Sequence, residues 1–144
     1  MAAYYKAGGM GLIQALNNLF EKYGYFVEEL VNVDLADGKP GRAEEIIKFF
    51  RKSALKEISG MRVVRLIDYL TGESLDLINK SKAATGLPAS NSLKYLLEND
   101  SWFCIRPSGT EPKIKFYFGV KDSSQEKADQ KMAALKDAIM RLTI

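Results

Sequence analysis

The chain has 144 residues, 47% of them hydrophobic and 27% charged, the balance of a globular protein with one core of ordinary size. Its 21 basic and 18 acidic residues leave a net charge of +3 spread along the chain, so no basic tail points to nucleic acid. One cysteine and no histidine exclude a disulfide framework, a Cys/His zinc site and any histidine-based triad.

No apolar run approaches the ~18 residues of a membrane span, and the N-terminus lacks the charged start and apolar core of a signal peptide. A soluble, unexported, cytoplasmic chain with no membrane partner is expected. Leu12, Leu16, Leu19 and Tyr23 recur at helical spacing, and Gly24 can supply a left-handed cap, predicting a helix with a wide apolar face. "YFVEELVNVDL", Tyr25 to Leu35, is rich in β-branched and aromatic residues and closes on the turn-like "ADGKPG", predicting a strand. Ala43, Ile46, Ile47 and Phe50 mark one face of a second helix, with Glu44 and Glu45 in its first turn. Met61 to Leu70 reads as a strand. Residues 71–92 lack periodicity and read as a long loop of the kind that covers a site or contacts another domain.

Leu93, Tyr95 and Leu97 alternate, and "ENDS" supplies turn residues before Trp102 to Ile105, so a strand is expected there to pair with its neighbour. Cys104, inside "WFCI", is expected as a small buried hydrophobe. In "KIKFYF", Ile114, Phe116 and Phe118 face one way and Lys113, Lys115 and Tyr117 the other. Ser123 with Glu126 forms a capping box, and Ala128, Met132, Leu135, Ile139 and Leu142 follow at steps of three and four, predicting a C-terminal helix. From Tyr25 onward the expected fold class is α+β: a four-stranded, mainly antiparallel sheet with two helices on one face. The first helix stands apart, because its apolar face calls for a partner that the rest of the chain need not supply.

Between the two strands of the last hairpin, Pro107 to Pro112 forms the expected six-residue tip, with Arg106 near Lys113 across the ladder. Successive backbone N–H groups at Ser108, Gly109 and Thr110 can converge in a nest, helped by the permissive φ of Gly109, while the Ser108 and Thr110 hydroxyls can donate to an oxyanion. Arg106 adds a planar fork and Lys115 a point charge. The combination reads as a phosphate cradle, and an ordinary polar hairpin remains the bland reading of the same residues.

"RPSGTEPKIK" resembles the phosphate-binding loop of the α-D-phosphohexomutases, Arg-x-Ser-Gly-Thr-Glu-Pro followed shortly by a basic residue. "SWFCIRPSGTEPKIKFYFGV" looks like the phosphoglucomutase and phosphomannomutase branch, and "AAYYKAGGMGLIQALNNLFEKYGYF" looks like the end of the preceding, third domain. The resemblance implies residues 1–24 as the terminal helix of domain 3. It implies residues 25–144 as the C-terminal domain 4, a sheet-and-two-helix fold akin to one TATA-box-binding repeat. It also implies phosphate contacts at Arg106, Ser108, Gly109, Thr110 and Lys115, with Glu111 supporting the loop backbone. Many members have arginine where Lys115 stands; lysine keeps the charge and loses the bidentate fork.

The resemblance further implies interconversion of hexose 1-phosphate and hexose 6-phosphate through a phosphoserine and a bisphosphate, with Mg²⁺ assisting, the partners being a phosphosugar and the enzyme's other domains. No Thr-Ala-Ser-His-Asn-Pro nucleophile loop or Asp-Gly-Asp-x-Asp metal loop occurs in the sequence. Alone, the chain is therefore expected to lack catalytic residues, a cofactor and mutase activity. The different-class alternative is a single-stranded nucleic-acid-binding module built on "KIKFYFGV", and it fails if Phe116 and Phe118 belong to the core.

Overall fold

The computed structural model describes residues 2–35, 41–53 and 55–143. A short helix α1 (Ala2–Ala7) precedes helix α2 (Leu12–Tyr23), strand β1 (Tyr25–Asp34) and helix α3 (Arg42–Lys52). Then come β2 (Glu57–Ile58), β3 (Met61–Asp68), β4 (Glu73–Asp76), β5 (Ser81–Ala84), β6 (Leu93–Leu97), β7 (Trp102–Pro107), β8 (Lys113–Asp122) and helix α4 (Gln125–Thr143). The strands pair antiparallel in the order β1-β8-β7-β6-β3-β4-β5, and β2 pairs with β3.

The α+β class and the antiparallel sheet are as expected. The sheet is wider than four strands, because residues 71–92 are not a structureless loop: they carry the β4–β5 hairpin at the sheet edge. All four β5 residues are exposed, so the hairpin leaves no apolar alternation in the sequence. Its turn is held instead by Asp76, whose Oδ1 accepts the backbone N–H groups of Ile78 and Asn79, each at 2.9 Å. The expected turn after β1 falls largely on residues 36–40, outside the described residues.

Strict alternation puts one face of the sheet against helices α3 and α4. Ile105, Phe103, Ile114, Phe116 and Phe118 have no exposed surface, and they meet Ile47 and Phe50 of α3 and Leu135 and Ile139 of α4 in one core. Phe50 lies edge-on to Phe103 and Phe116, and the Tyr95 ring stacks on Phe103 with centroids 4.6 Å apart. The Tyr95 hydroxyl, buried in this core, donates to the Phe50 carbonyl, so the polar tip is satisfied.

The C-terminal helix is displaced slightly from its expected ends. Ser124, rather than Ser123, caps it: Ser124 Oγ accepts from Lys127 N at 3.3 Å, while Ser123 turns back to the Asp122 carboxylate. Its buried stripe ends on Thr143 instead of Leu142, which is exposed, because Thr143 follows Ile139 by four residues and returns its hydroxyl to the Ile139 carbonyl.

Helix α2 behaves as an unpartnered element. Leu12, Ile13, Leu16, Leu19 and Tyr23 are all exposed, and only Ala15 is buried. Gly24 stops the helix with its N–H on the Phe20 carbonyl; its φ of 96° is positive, but its ψ of 167° is extended rather than the expected left-handed helical value. Phe20 stacks on Tyr25 and so ties α2 to the start of the sheet.

Candidate functional site

The sheet face opposite the helices is built by the other half of the alternation. Cross-strand register places Asn32, Lys115 and Arg106 in one row and Leu30, Tyr117, Cys104 and Lys94 in the next. Glu28, Gly119 and Trp102 follow in a third. Arg106 is thus directly opposite Lys115, not Lys113 as the sequence suggests. The hairpin is zipped one pair further, to Pro107 against Ile114, and the register moves by two residues. A two-residue shift leaves every side chain on its predicted face. It also sets Trp102 against Gly119: a Cβ at 119 would stand 2.8 Å from Cζ2 of the Trp102 ring and closer still to Nε1, so only glycine lets the indole lie there.

The hairpin tip is correspondingly tighter. Ser108 N–H donates to the Lys113 carbonyl at 2.8 Å and closes the turn, so it is not one of the nest donors expected from the sequence. The N–H groups of Gly109 and Thr110 have no acceptor among the described residues. Ser108 Oγ accepts Glu111 N–H at 3.3 Å, which leaves the hydroxyl proton for another acceptor. Gly109 does not adopt a positive φ, and a Cβ built on it meets nothing within 4 Å. Its lack of a side chain is therefore not required by the loop's own backbone or packing.

Glu111 is bonded twice to Lys113. Its carbonyl accepts Lys113 N–H at 2.7 Å, and its carboxylate pairs with Lys113 Nζ at 3.5 Å. Arg106, Lys115 and Lys94, by contrast, form no ion pair among the described residues. Three cations without carboxylate partners share one face of three adjacent strands. Like charges gathered without counter-charges repel one another, and an anionic ligand relieves that repulsion.

Beside this row lies a cleft of about 330 Å³ lined by Tyr69, Ser90, Ser92, Lys94, Trp102, Cys104, Arg106 and Tyr117. Cys104 forms part of its floor, half-buried between Lys94 and Tyr117, and is not the core residue expected from its apolar neighbours. Burial raises the Cys104 thiol above its ordinary pKa, while the positive charges of Lys94 and Arg106 pull the other way. Lys94 Nζ stands 4.1 Å from the centre of the Trp102 ring, a cation–π contact at the cleft wall.

The far wall is anchored from behind. Arg51 of α3 bonds Asp68 Oδ2 at 2.7 Å and Asn91 Oδ1 at 3.0 Å, and Asn91 donates in turn to Glu44 at 3.0 Å. Ser90 N–H bonds the Tyr69 carbonyl, and Tyr69 N–H bonds the Ser92 carbonyl, so the segment 90–92 is clamped to the end of β3. None of these wall residues stands out in the sequence.

With Arg106 and Lys115 side by side at the root of the Ser108–Pro112 loop, the comparisons with known proteins agree with the sequence motif. Residues 30–137 match the family model for the phosphoglucomutase/phosphomannomutase C-terminal domain. The chain belongs to that family. A phosphoglucomutase of Staphylococcus saprophyticus is 32% identical over 128 residues, covering 88% of this chain and 23% of the relative. One from Staphylococcus aureus is 32% identical over 136 residues, 93% of this chain and 24% of its own length. One from Staphylococcus epidermidis is 35% identical over 118 residues, 81% of this chain and 21% of its own. The chain thus spans about a quarter of the length of the curated relatives it matches. Helices α1 and α2 precede the matched domain.

The same geometry bears on two other sequence expectations. Phe116 and Phe118 are fully buried against the helices, so the aromatic pair that the nucleic-acid alternative needs cannot stack on bases. Among the described residues no helix is long and apolar enough to cross a membrane.

Proposed function

We propose that the domain anchors the phosphate of a phosphosugar in an enzyme that interconverts hexose 1-phosphate and hexose 6-phosphate, most simply those of glucose. The observation that carries this reading is the unpaired Arg106–Lys115 couple beside two acceptor-free N–H groups, at Gly109 and Thr110. Arg106 would take two phosphate oxygens with its fork, Lys115 would add a point charge, and the Ser108 and Thr110 hydroxyls and the loop N–H groups would donate to the rest. Glu111 keeps its carboxylate on Lys113, away from the anion.

An anchor that reads only charge and oxygen geometry accepts either phosphate of a sugar that must bind in two orientations, so its contribution is positioning. The bond-making residues of the phosphoserine reaction would lie in the remainder of the longer protein, and residues 1–24 would be the terminal helix of its preceding domain. Closing this domain over the sugar would keep water from the phosphoenzyme. A cytoplasmic location fits the free Cys104.

The described residues do not fit the Mg²⁺ that the family resemblance implies: they contain no group of three or more His, Cys, Asp or Glu able to hold a metal ion. Anchoring by cations and N–H donors needs no metal. A few charge-assisted contacts of about 1.5–3 kcal/mol each, set against association costs of about 4 kcal/mol or more, give the isolated chain a phosphate Kd on the order of millimolar. The test is Arg106→Ala in the longer enzyme. A fall in kcat/KM of about thirtyfold or more is expected, equivalent to roughly 2 kcal/mol. An unchanged kcat/KM would remove Arg106 from the site, and turnover of glucose 1-phosphate by the purified chain alone would refute the purely positioning role.

A further inference from the structure

The phosphate anchor uses only one end of the open sheet face. The cleft that continues from Arg106 toward Trp102 contributes an ammonium from Lys94 and hydroxyls from Tyr69, Ser90, Ser92 and Tyr117. It is at the small end of ligand-pocket volumes, and its floor is a rigid antiparallel ladder, β6-β7-β8. The phosphate couple and this cleft share Arg106, so a ligand seated by its phosphate has its other end directed along the same face.

Lys94 is held for such a contact. Its Nζ rests over the Trp102 ring at 4.1 Å, and the ring in turn lies across Gly119, where no side chain could remain. The stack Gly119–Trp102–Lys94 limits the rotamers of a long flexible side chain without giving it a carboxylate partner. An ammonium so placed, one cross-strand diagonal from Arg106, keeps its donors available to oxygen atoms in the cleft. The clamped Tyr69/Ser90/Ser92 segment also lines the cleft.

We propose that this cleft is a sugar-side subsite: Lys94, held on Trp102, hydrogen-bonds hydroxyl oxygens of the hexose whose phosphate the Arg106–Lys115 couple anchors. The inference rests on the phosphate reading of the loop and adds to it a specificity element within this domain. Lys94 is the residue that contacts the sugar, and Trp102 is the positioning residue that holds it. A ligand with phosphate but no polyol should reach only the loop.

The test uses the whole 144-residue chain, in which Trp102 is the single tryptophan and therefore an unambiguous reporter. Amide and indole N–H shifts are followed by NMR during titration with inorganic phosphate and, separately, with glucose 6-phosphate. Both ligands should shift Gly109 and Thr110, and only glucose 6-phosphate should also shift the Trp102 indole and the Lys94 amide. Lys94→Met, which keeps the apolar stem, should weaken glucose 6-phosphate about tenfold and leave inorganic phosphate within about twofold. Loop shifts with both ligands but a silent Trp102 would overturn the subsite and leave the phosphate anchor standing. Equal Trp102 shifts with both ligands would overturn it too, because the cleft would then sense charge alone. No loop shifts with either ligand would overturn the anchor and the subsite together.

Discussion

The two faces of the sheet are written in the same strands, residue by residue, and serve opposite ends. On the helix side Phe103, Ile105, Phe116 and Phe118 are sealed from water; on the open side their immediate neighbours Trp102, Cys104, Arg106, Lys115 and Tyr117 are half-buried or exposed. The first set holds the domain together through apolar burial. The second contributes little burial and carries cations that nothing in the described chain neutralises. A period of two lets one segment specify an apolar core and a cationic open face at once, because neighbouring residues never compete for the same side.

That separation predicts effects that fall on one property and spare the other. The largest belongs to the helix side: Phe116→Ala should cost about 3–5 kcal/mol of stability and unfold much of the population, read by denaturant titration. A small loss there would mean that the core is not shared by α3, α4 and the sheet. Gly119→Val comes next, since its side chain would collide with the Trp102 ring. A cost of about 1–3 kcal/mol is expected, together with a changed Trp102 emission spectrum. An unaltered spectrum would show that the indole does not lie over residue 119. Arg106→Ala should leave the melting temperature within about 2 °C, the response of an exposed residue, while weakening phosphate binding by about tenfold or more. A large fall in melting temperature would place Arg106 among the structural residues.

The smallest effect lies at the junction of β8 and α4. Asp122 is held at a pKa of about 2, chiefly by the hydrogen bond from Lys131 Nζ and then by Ser123 N–H. A carboxylate depressed in the folded state stabilises it fully above the unfolded value near ~4, and that contribution is lost as the pH falls toward about 2. Stability of the chain should therefore drop across this acid window, and Lys131→Met should flatten the drop measured by thermal melts at stepped pH. Equal slopes in the two proteins would mean that Lys131 does not set the Asp122 ionisation.

The parts of the fold legible in the sequence were those with a strong internal period. The α4 stripe and the Lys/apolar alternation of β8 each repeat over many residues, so a misplaced end, as at Leu142 and Thr143, does not change the element. The β4–β5 hairpin was missed because "SKAA" is exposed throughout and its turn depends on one side chain, Asp76. The register of β7 against β8 could not be read for a different reason. Both a pairing of Arg106 with Lys113 and one with Lys115 satisfy the same face pattern, and only the need of the Trp102 ring for a glycine opposite distinguishes them.

The proposed phosphate motif is contiguous, Arg106 to Lys115, and so was visible as a string. Its local geometry was not: Ser108 N–H, which looks like an anion donor, is the bond that closes the hairpin. The cleft beside it was invisible. It draws on Tyr69, Ser90, Lys94, Trp102 and Tyr117 from four separate segments, which only the sheet topology brings together.

The most direct measurement of the central claim is an amide NMR titration of the chain with inorganic phosphate, run in parallel on Arg106→Ala. Saturable shifts confined to Gly109, Thr110 and the Arg106–Lys115 pair, with a Kd on the order of millimolar that weakens at least tenfold in the variant, are the predicted result. Shifts scattered over both faces of the sheet, or identical in the two proteins, would contradict it.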